Sequence, residues 1–422
     1  MGNANPDERM VQCFPHSFHM LNISLISATL KSPFHWVKGL SAMIWYGFPA
    51  RRLTIIGVTG TDGKTTTATM VYHVLKHAGK KVALISTVSA YMGDEEIDTG
   101  FHVTTPEQFP FQRLLRRIVN SGHTHVVLEV TSHGIAQHRI FGIRPTIAIL
   151  TNITHEHLDY HGSYAAYLKT KARFLSRAKT AIINHDDSSF DEVKAYIKKH
   201  SWNTRIVPYA YRLLDAQSKR IVLDRFPEGY NRQNGAAVIT AAEYLHLPLA
   251  QTLDAIKRFP SVLGRMQEVP NTRGLTLIVD FAHTPNALEH ALKALRGGVK
   301  SGKKLIAVCG AAGLRDAMKR PMMGKIAAEL ADEIVFTAED PRIEDVNVII
   351  RQMKEGVREN HGHVHELADR RTAIRFAIQT LARPGDTIGI FGKGHETSMN
   401  LDGKHEVPWS DAEEARLALE GI

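Results

Sequence analysis

The chain has 422 residues, a net charge of +9, and ordinary proportions of hydrophobic (43%) and charged (23%) residues. This length predicts two or three domains with a large core, and the composition excludes a disordered or fibrous protein. The two cysteines, Cys13 and Cys309, exclude a disulfide framework and a four-cysteine zinc site. They fit the reducing cytoplasm, where we expect the protein to act.

The positive charge indicates anionic ligands or an anionic surface, although a generally basic proteome explains it equally well. We expect no nucleic-acid partner, because no arginine-rich run or basic stripe with interleaved aromatic residues is present. No apolar stretch of about 18 residues occurs, so no membrane-spanning segment is expected. Residues 34–52 place Trp36, Trp45 and Tyr46 beside basic residues. This composition fits either a weak membrane-surface contact or helices packed on the following domain.

The first informative segment begins at residue 53. An apolar run over 53–58 predicts a buried strand, and a glycine-rich turn, Lys64 and an apolar helix follow it. This order is typical of a phosphate-binding loop, because backbone N–H groups and a helix N terminus converge on anionic oxygens. Gly57 lies one residue too far from Gly63 for the strict Walker pattern. The Thr65 hydroxyl is the natural ligand for the Mg²⁺ that accompanies ATP. The residues predicted to bind nucleotide here are Gly60, Thr61, Asp62, Gly63, Lys64, Thr65 and Thr66.

After this loop, strand and helix patterns alternate along the chain. The alternation predicts an α/β fold: a P-loop-type central domain with a mostly parallel sheet and helices on both faces. Residues 201–227 depart from it and are expected to form irregular strands. A second α/β unit follows a boundary near 260–273, with a histidine-rich turn at 361–365. The expected domains are a short helical segment at 1–50, the central domain at 51–262 and a C-terminal domain at 263–422, with a cleft at the hinge between the last two.

Polar groups at strand ends of the first unit suggest a site. Glu129 ends a buried strand near the loop, where it can hold Mg²⁺ directly or through water. The next strand leads into a loop rich in histidines and acids that includes His157, and either zinc or Mg²⁺ with one imidazole suits that loop. Asn231 and Asn234 share a helix face. Their amides can recognise an adenine or a phosphate, or simply cap the helix.

Further polar groups follow the strands of the second unit and the strand that ends in Glu129. Gln137 and Arg139 offer donors to an anionic substrate. In the second unit, mixed carboxylates and guanidinium groups at strand C termini suit a zwitterion such as an amino acid. The candidates of the second unit are Arg265, Asp280, His283, Arg320, Asp340, Arg342, Gly392 and Glu396.

From about residue 53 to the C terminus the chain resembles the Mur ligase family, and within it the branch that adds the third amino acid of the peptide. The resemblance rests on segments that follow one another with compatible spacing: GTDGKTT, TTPE, EVTSHGIAQHR, TNITHEHLDYHG, NRQN, GRM, DFAHTPNAL, KRPMMG, DPR and GKGHE. It implies an ATP-binding central domain and a Rossmann-like C-terminal domain that closes over it. The implied activity is ATP-dependent addition of a diamino acid to a muramyl-dipeptide precursor in peptidoglycan synthesis, through an acyl phosphate.

The resemblance also implies roles for individual residues. Metal ligation falls to Thr65, Glu129, His157 and Lys171, and catalysis to Lys64, Lys171, His157 and Glu129. Lys171 corresponds to the family's carbamylated lysine more closely than Lys169 does. The muramyl-peptide side is matched by Thr104, Thr105, Thr131, Gln137 and Arg139. The nucleotide side is matched by Asn231, Arg265, Asp280 and His283, with Asn234 beside them. The pocket for the added amino acid is matched by Arg320, Asp340, Arg342, Gly392 and Glu396.

Two departures from the family pattern leave alternatives open. About 50 residues stand where a compact UDP-binding module would need roughly 90–100. The substrate is therefore expected to be held differently, to have a lipid carrier, or to be bound with a partner's help. The usual Asp-Asn-Pro-Arg motif is replaced by Glu339, Asp340, Pro341 and Arg342. Arg342 suits the second carboxylate of meso-diaminopimelate, which we favour, whereas the charge of Asp340 suits lysine.

The expected partners are therefore a small-molecule peptidoglycan precursor and an amino acid, with ATP and Mg²⁺ as cofactors, and the protein is expected to be a monomer. Two alternatives remain. One is a ligase of this family with a different acceptor or amino acid. The other is a non-catalytic ATP-binding subunit.

Overall fold

A computed structural model describes residues 33–87, 90–93, 95–97, 105–154, 158–226, 229–260, 262–358 and 362–421. The strands are β1 (Thr54–Thr59), β2 (Val82–Ile85), β3 (Ala90–Met92), β4 (Glu95–Ile97), β5 (His125–Glu129), β6 (Ile147–Leu150), β7 (Thr180–Asn184), β8 (Arg205–Tyr209), β9 (Gln267–Glu268), β10 (Thr276–Asp280), β11 (Leu305–Cys309), β12 (Glu333–Phe336), β13 (His363–Glu366), β14 (Thr387–Phe391), β15 (Ser398–Asn400) and β16 (Glu406–Pro408).

The helices are α1 (33–45), α2 (Lys64–His77), α3 (Gln108–Asn120), α4 (Ser132–Ala136), α5 (Leu158–His161), α6 (Tyr164–Leu175), α7 (Phe190–His200), α8 (Ala216–Arg225), α9 (Gly229–Tyr244), α10 (Leu249–Lys257), α11 (Pro285–Gly298), α12 (Lys319–Leu330), α13 (Val346–Lys354), α14 (Arg370–Arg375) and α15 (Asp411–Glu420). Short 3₁₀ turns occur at Pro49–Arg52 and Tyr211–Leu213, and a π-helix, Phe376–Leu381, continues α14. Within the described ranges, no helix is long and apolar enough to cross a bilayer.

The strands form two large sheets, which confirms the expected α/β fold class. The first sheet has the order β4-β3-β2-β5-β1-β6-β7-β8 and is parallel except for β3 and β4. The second has the order β13-β12-β11-β14-β10-β9, with only β9 antiparallel. A two-stranded ribbon, β15-β16, completes the architecture of the described residues.

The register of the first sheet determines where the site lies. Val58 of β1 pairs with Glu129 of β5, and Thr59 pairs with Leu150 of β6. The C-terminal ends of these three parallel strands therefore reach one edge of the sheet together. The loop after β1, the carboxylate of Glu129 and the residues after Leu150 all emerge at that edge, where open α/β sheets bind ligands.

The central strand β1 is buried on both faces, as a parallel strand between helix layers must be. Ile55 packs into the core on one face, and Ile56 and Val58 pack into the core on the other. Gly57 lies against α6: a Cβ atom there would come within 2.4 Å of the Phe174 ring. Gly57 is therefore needed for packing against α6. This role is separate from the phosphate-binding loop, and it agrees with the distance of Gly57 from the Walker position.

Two expected elements were wrong. Residues 201–227 contain one strand, β8, followed by the helix α8, whose N-cap Asp215 accepts a hydrogen bond from Ser218 N. The expected turn at 361–365 holds the strand β13, which pairs in parallel with β12 at the edge of the second sheet. Its sequence is polar because an edge strand is only partly covered, so the apolar signal of a strand is missing there.

Candidate active site

The loop between β1 and α2 is tied to the strand beside it. Thr61 N donates to the Asn152 carbonyl (2.9 Å), and Asp62 N donates to Asn152 Oδ1 (2.8 Å). Thr151 Oγ1 donates to the Asp62 carbonyl at 2.6 Å. Lys64 Nζ lies inside the turn and donates to the Thr61 carbonyl at 2.5 Å. The residues after β6 therefore fix the shape of the loop and place the Lys64 ammonium group within it.

Two loop positions require glycine. Gly60 has φ 153°, and a Cβ there would lie 1.8 Å from Thr151 Oγ1. Gly63 caps α2 with φ 77° in the left-handed region, and a Cβ there would lie 2.6 Å from Asn234 Oδ1. Asn234 in turn donates to Asn231 Oδ1 at 2.9 Å. The predicted amide pair of α9 thus lies directly against the phosphate loop.

Two further predicted catalytic residues, Glu129 and Lys171, lie at this loop together with Lys64. Thr65 Oγ1 donates to Glu129 Oε1 at 3.1 Å, and Glu129 Oε2 accepts from Thr87 N at 2.9 Å. From α6, Lys171 Nζ donates to the Gly60 carbonyl at 2.5 Å and lies 4.5 Å from the centre of the Tyr167 ring. Glu129 and Lys171 are buried, with 3% and 1% of their surface exposed. Their charges are therefore poorly screened by water and act strongly on a ligand in the loop.

The residues predicted for the muramyl-peptide side form a cluster. Thr131 caps α4 and accepts from Gly134 N, and its hydroxyl lies 3.3 Å from that of Thr105. Arg139 donates to the Thr105 carbonyl (2.8 Å) and to Gln137 Oε1 (2.9 Å). Burial lowers the pKa of Arg139. Thr105, Thr131, Gln137 and Arg139 thus share one patch, while Thr104 lies outside the described residues.

The second unit contacts the loop through its hinge. Arg265 Nη2 donates to Thr65 Oγ1 at 3.2 Å, while Arg265 Nε is buried with no hydrogen-bond partner among the described residues. Asn286 donates to Asp62 Oδ2 at 2.7 Å. Arg265 also lies over the Phe281 ring, 4.5 Å from its centre. The two units therefore meet at the phosphate loop, and a guanidinium group with an unused donor faces it.

Buried polar groups surround this contact. Burial raises the pKa of Asp280, an effect opposed by Arg265 and by hydrogen bonds from Met266 N (2.6 Å) and Ala282 N (2.8 Å). Burial, with Arg265 nearby, lowers the pKa of His395 to about 3, so its imidazole is neutral at physiological pH. His283 Nδ1 lies 3.0 Å from the Phe281 carbonyl. His395 therefore adds no positive charge to this contact, whereas Arg265 does, and Lys319 donates to the His283 carbonyl at 2.8 Å.

The segment GKGHE and the residues after β12 form a second polar cluster. Lys393 Nζ lies 2.8 Å from Asp340 Oδ1 and 2.5 Å from Glu396 Oε2. Burial lowers the pKa of Lys393, but the two carboxylates outweigh burial and raise it. Asp340 Oδ1 also accepts from Asn400 N at 3.0 Å. The carboxylate that Asp340 adds to the family motif is therefore paired within the chain, with a lysine that it shares with Glu396.

Beside this cluster lies Glu339, a fully enclosed carboxylate. Burial raises its pKa to about 7, and Glu339 Oε2 has no partner among the described residues. Gly392, with φ 116°, lies against it: a Cβ at Gly392 would come within 3.2 Å of Glu339 Cγ. The glycine predicted for the amino-acid pocket therefore makes room for Glu339.

The two arginines predicted for the same pocket differ in their surroundings. Arg320 is 1% exposed and donates to both carboxylate oxygens of Glu344 (2.6 and 2.8 Å) and to Gln352 Oε1 (2.5 Å). Its contact with an added amino acid stays a prediction. Arg342 has φ 55°, its N–H donates to the Asn400 carbonyl (3.0 Å), and its side chain donates to the Gly313 carbonyl.

One predicted site residue of the histidine-rich loop lies outside the residues that the structure describes. His157 lies outside the described residues. In the described part of the chain, no group of three or more histidine, cysteine or acidic side chains forms a ready metal site. Sequence reasoning missed the role of Asn152 in fixing the loop. Glu339 and Lys393 were expected at strand C-terminal ends, but their burial and pairing were not predicted.

Two family models match the chain: Mur ligase middle domain over residues 58–225, and Mur ligase, glutamate ligase domain over residues 264–394. The UDP-N-acetylmuramoyl-L-alanyl-D-glutamate–2,6-diaminopimelate ligase of Bacteroides fragilis is 38% identical over 384 residues, covering 87% of this chain and 78% of that protein. The enzyme of the same name from Caldanaerobacter subterraneus subsp. tengcongensis is 34% identical over 385 residues, with the same coverage of 87% and 78%.

Two solved structures also superpose on most of the chain. A structure of a ligase of that name superposes with a TM-score of 0.59 at 29% identity, covering 91% of this chain and 83% of the other. Folylpolyglutamate synthase of Mycobacterium tuberculosis, complexed with ADP and AMPPCP, has a TM-score of 0.67 at 16% identity, covering 88% and 96%. At that identity the second likeness concerns the fold alone.

Proposed function

The chain belongs to the Mur ligase family, and we propose that it is an ATP-dependent amide ligase that adds 2,6-diaminopimelate to a muramyl-dipeptide precursor in peptidoglycan synthesis. The relatives named above have this activity in their names. We further propose that it works as a monomer in the cytoplasm, with domains divided near residues 262 and 263.

One observation carries the proposal: the phosphate loop lies between groups from both units. Lys64 lies within the loop, Glu129 and Lys171 flank it, and Arg265 reaches it from the other unit at 3.2 Å from Thr65 Oγ1. A triphosphate bound there would face the cationic groups of Lys64 and Arg265. Such preorganised charges stabilise the negative charge that develops during phosphoryl transfer.

The proposed reaction has two steps. A carboxylate oxygen of the acceptor attacks the γ-phosphorus of ATP, the bond to the β–γ bridging oxygen breaks, and ADP leaves behind an acyl phosphate. The neutral amine of the amino acid then attacks the carbonyl carbon. The carbon–oxygen bond to phosphate breaks, inorganic phosphate departs, and the amine loses its proton to solvent. Lys64 and Arg265 would hold the phosphoryl oxygens in line, and closure of the two units would exclude water from the intermediate.

The donor set around Thr65 fits Mg²⁺. A hydroxyl and a carboxylate 3.1 Å apart are hard oxygen ligands, which this ion prefers. We propose that Thr65, Glu129 and His157 hold it, together with a carbamate formed on Lys171. When bound, the metal would neutralise charge on the β- and γ-phosphates. The Lys171 ammonium group lies at the loop, 2.5 Å from the Gly60 carbonyl.

The environment of Asp340 supports diaminopimelate over lysine. An unpaired carboxylate would favour a cationic side chain, but Asp340 is paired with Lys393 at 2.8 Å. Arg342 remains nearby as the cationic group for a second carboxylate, the role for which a guanidinium group is best suited. We therefore propose that the pocket prefers the diamino acid with two carboxylates.

The test measures ADP release with a UDP-linked muramyl dipeptide and a panel of diamino acids. We expect turnover that depends on the amino acid and is highest with diaminopimelate. Lys171→Ala should abolish turnover, and a short-chain carboxylic acid should restore part of it by replacing the carbamate. Lys169→Ala, on the same helix, is the control and should keep most of the activity. No amino-acid-dependent ADP release with any acceptor would contradict the proposal and favour a non-catalytic ATP-binding subunit.

A further inference from the structure

The helix α1 presents a row of exposed apolar side chains, which we call the α1 stripe. It comprises Phe34, Val37, Ile44 and Trp45, with exposed fractions of 67%, 55%, 56% and 78%. These positions recur at intervals of three, seven and one residues, so they lie along one side of the helix. The exposed Ser41 separates the two pairs on this side, and clusters of exposed apolar side chains mark interaction sites in soluble proteins.

The opposite side of α1 is anchored to the first unit. Ala42 is fully buried, and Gly39 allows close approach, since a Cβ there would lie 2.7 Å from Phe141 Cβ. The Trp36 ring meets the Phe141 ring edge-on at 5.6 Å. The stripe is therefore a second, exposed face of α1, and its large apolar side chains are expected to be covered by a partner.

The charge beside the stripe indicates what covers it. Arg51 and Arg52, in the turn that follows α1, are both exposed, and Arg51 lies over the Phe48 ring at 4.4 Å. Tryptophan, phenylalanine and arginine in this arrangement match an amphipathic segment at the boundary between lipid headgroups and acyl chains. Arginines that directly follow such a segment add attraction to anionic headgroups.

We propose that the α1 stripe docks on the surface of an anionic lipid bilayer. The docking would orient the site as well as hold the protein. Lys38 of α1 pairs with Glu107 at 2.5 Å, two residues from Thr105, and α1 packs on Phe141, two residues from Arg139. The helix α1 that carries the stripe thus adjoins the patch predicted for the acceptor. The proposal stands on the exposed stripe and does not depend on the ligase activity.

The test is flotation of the full chain with vesicles of phosphatidylcholine alone or mixed with phosphatidylglycerol. We expect binding to the anionic vesicles, weakened by salt. Trp45→Ser should lower the partition coefficient about tenfold, and Arg51→Gln about fivefold. Trp202→Ser is the matched control, because Trp202 is 100% exposed and far along the chain from the stripe. It should leave binding unchanged. Circular dichroism of each variant verifies that the fold is kept.

Three results would overturn the proposal. The first is equal vesicle binding by Trp45→Ser and Trp202→Ser. The second is a lack of vesicle binding combined with Trp45 fluorescence that a soluble quencher cannot reach. This result would mean that another part of the chain covers the stripe. The third is dimerisation that Trp45→Ser abolishes, which would assign the stripe to a second copy. Failure of the ligase assay alone would leave the docking intact, so the two proposals fail separately.

Discussion

Replacing Lys393 by methionine tests the polar cluster next to the proposed amino-acid pocket. The side chain of Lys393 is 1% exposed and lies between Asp340 and Glu396, at 2.8 and 2.5 Å. Removing one partner of a buried ion pair typically costs 3–5 kcal/mol, because an uncompensated charge remains. Asp340 and Glu396 are 18% and 36% exposed, so water can reach them partly. We therefore expect Lys393→Met to lower the free energy of unfolding by about 3 kcal/mol, the lower end of that range.

Urea unfolding measured for a set of variants provides the assay. Adding Asp340→Asn to Lys393→Met removes one stranded charge and should restore about 1 kcal/mol. Lys325→Met is the control in the same unit: Lys325 is 51% exposed and 3.7 Å from Glu329, so its loss should cost less than about 1 kcal/mol. The same variants should show the preference for diaminopimelate over lysine falling when Lys393 is lost. Equal stability of Lys393→Met and Lys325→Met, or no rescue by Asp340→Asn, would refute the reasoning.

Three further predictions concern single positions. Burial raises the pKa of Glu339 to about 7, above its usual value of about 4.3. Between these two pKa values the folded state holds a proton that the unfolded state has released. The contribution of Glu339 to the free energy of unfolding is therefore lost as the pH rises from about 4.5 to about 7. In urea unfolding, Glu339→Gln should be more stable than the wild type by about 3 kcal/mol at about pH 8 but not at about pH 4. The same difference in stability at both pH values would contradict this prediction. Gly63→Ala should cost about 1–2 kcal/mol in thermal unfolding because φ is 77°, and adding Asn234→Ala should relieve the close contact but not this strain. Glu129→Gln should lower ADP release about 100-fold, whereas Glu95→Gln, an exposed control, should not; equal rates would argue against a role for Glu129.

The strand, loop and helix around residue 60 could be predicted because their signals are local. An apolar run, glycines and a Lys-Thr pair are sufficient to predict β1 and α2. The helix begins at Lys64, directly after Gly63, which adopts φ 77° and ends the turn there. The role of Gly57 could not be predicted, because it depends on Phe174 of a helix more than a hundred residues away.

The second polar cluster illustrates what the sequence hides. The chemistry of Asp340 suggested a negative pocket, yet its charge is offset by Lys393, which is 53 residues away along the chain. Likewise, nothing local signals that Glu339 is enclosed or that Arg320 is held by Glu344. Strand ends predict which residues gather at one edge of a sheet. They do not predict how those residues pair, because pairing depends on the approach of separate loops.

The most direct test of the proposed mechanism follows oxygen atoms. The acceptor is prepared with ¹⁸O in the carboxylate that is to be activated, and the reaction is run with unlabelled ATP, diaminopimelate and water. An acyl phosphate transfers one of those oxygens to phosphorus, so we predict that each inorganic phosphate released carries one ¹⁸O atom, read by mass spectrometry. Release of unlabelled phosphate together with amide product would contradict activation of the acceptor by ATP.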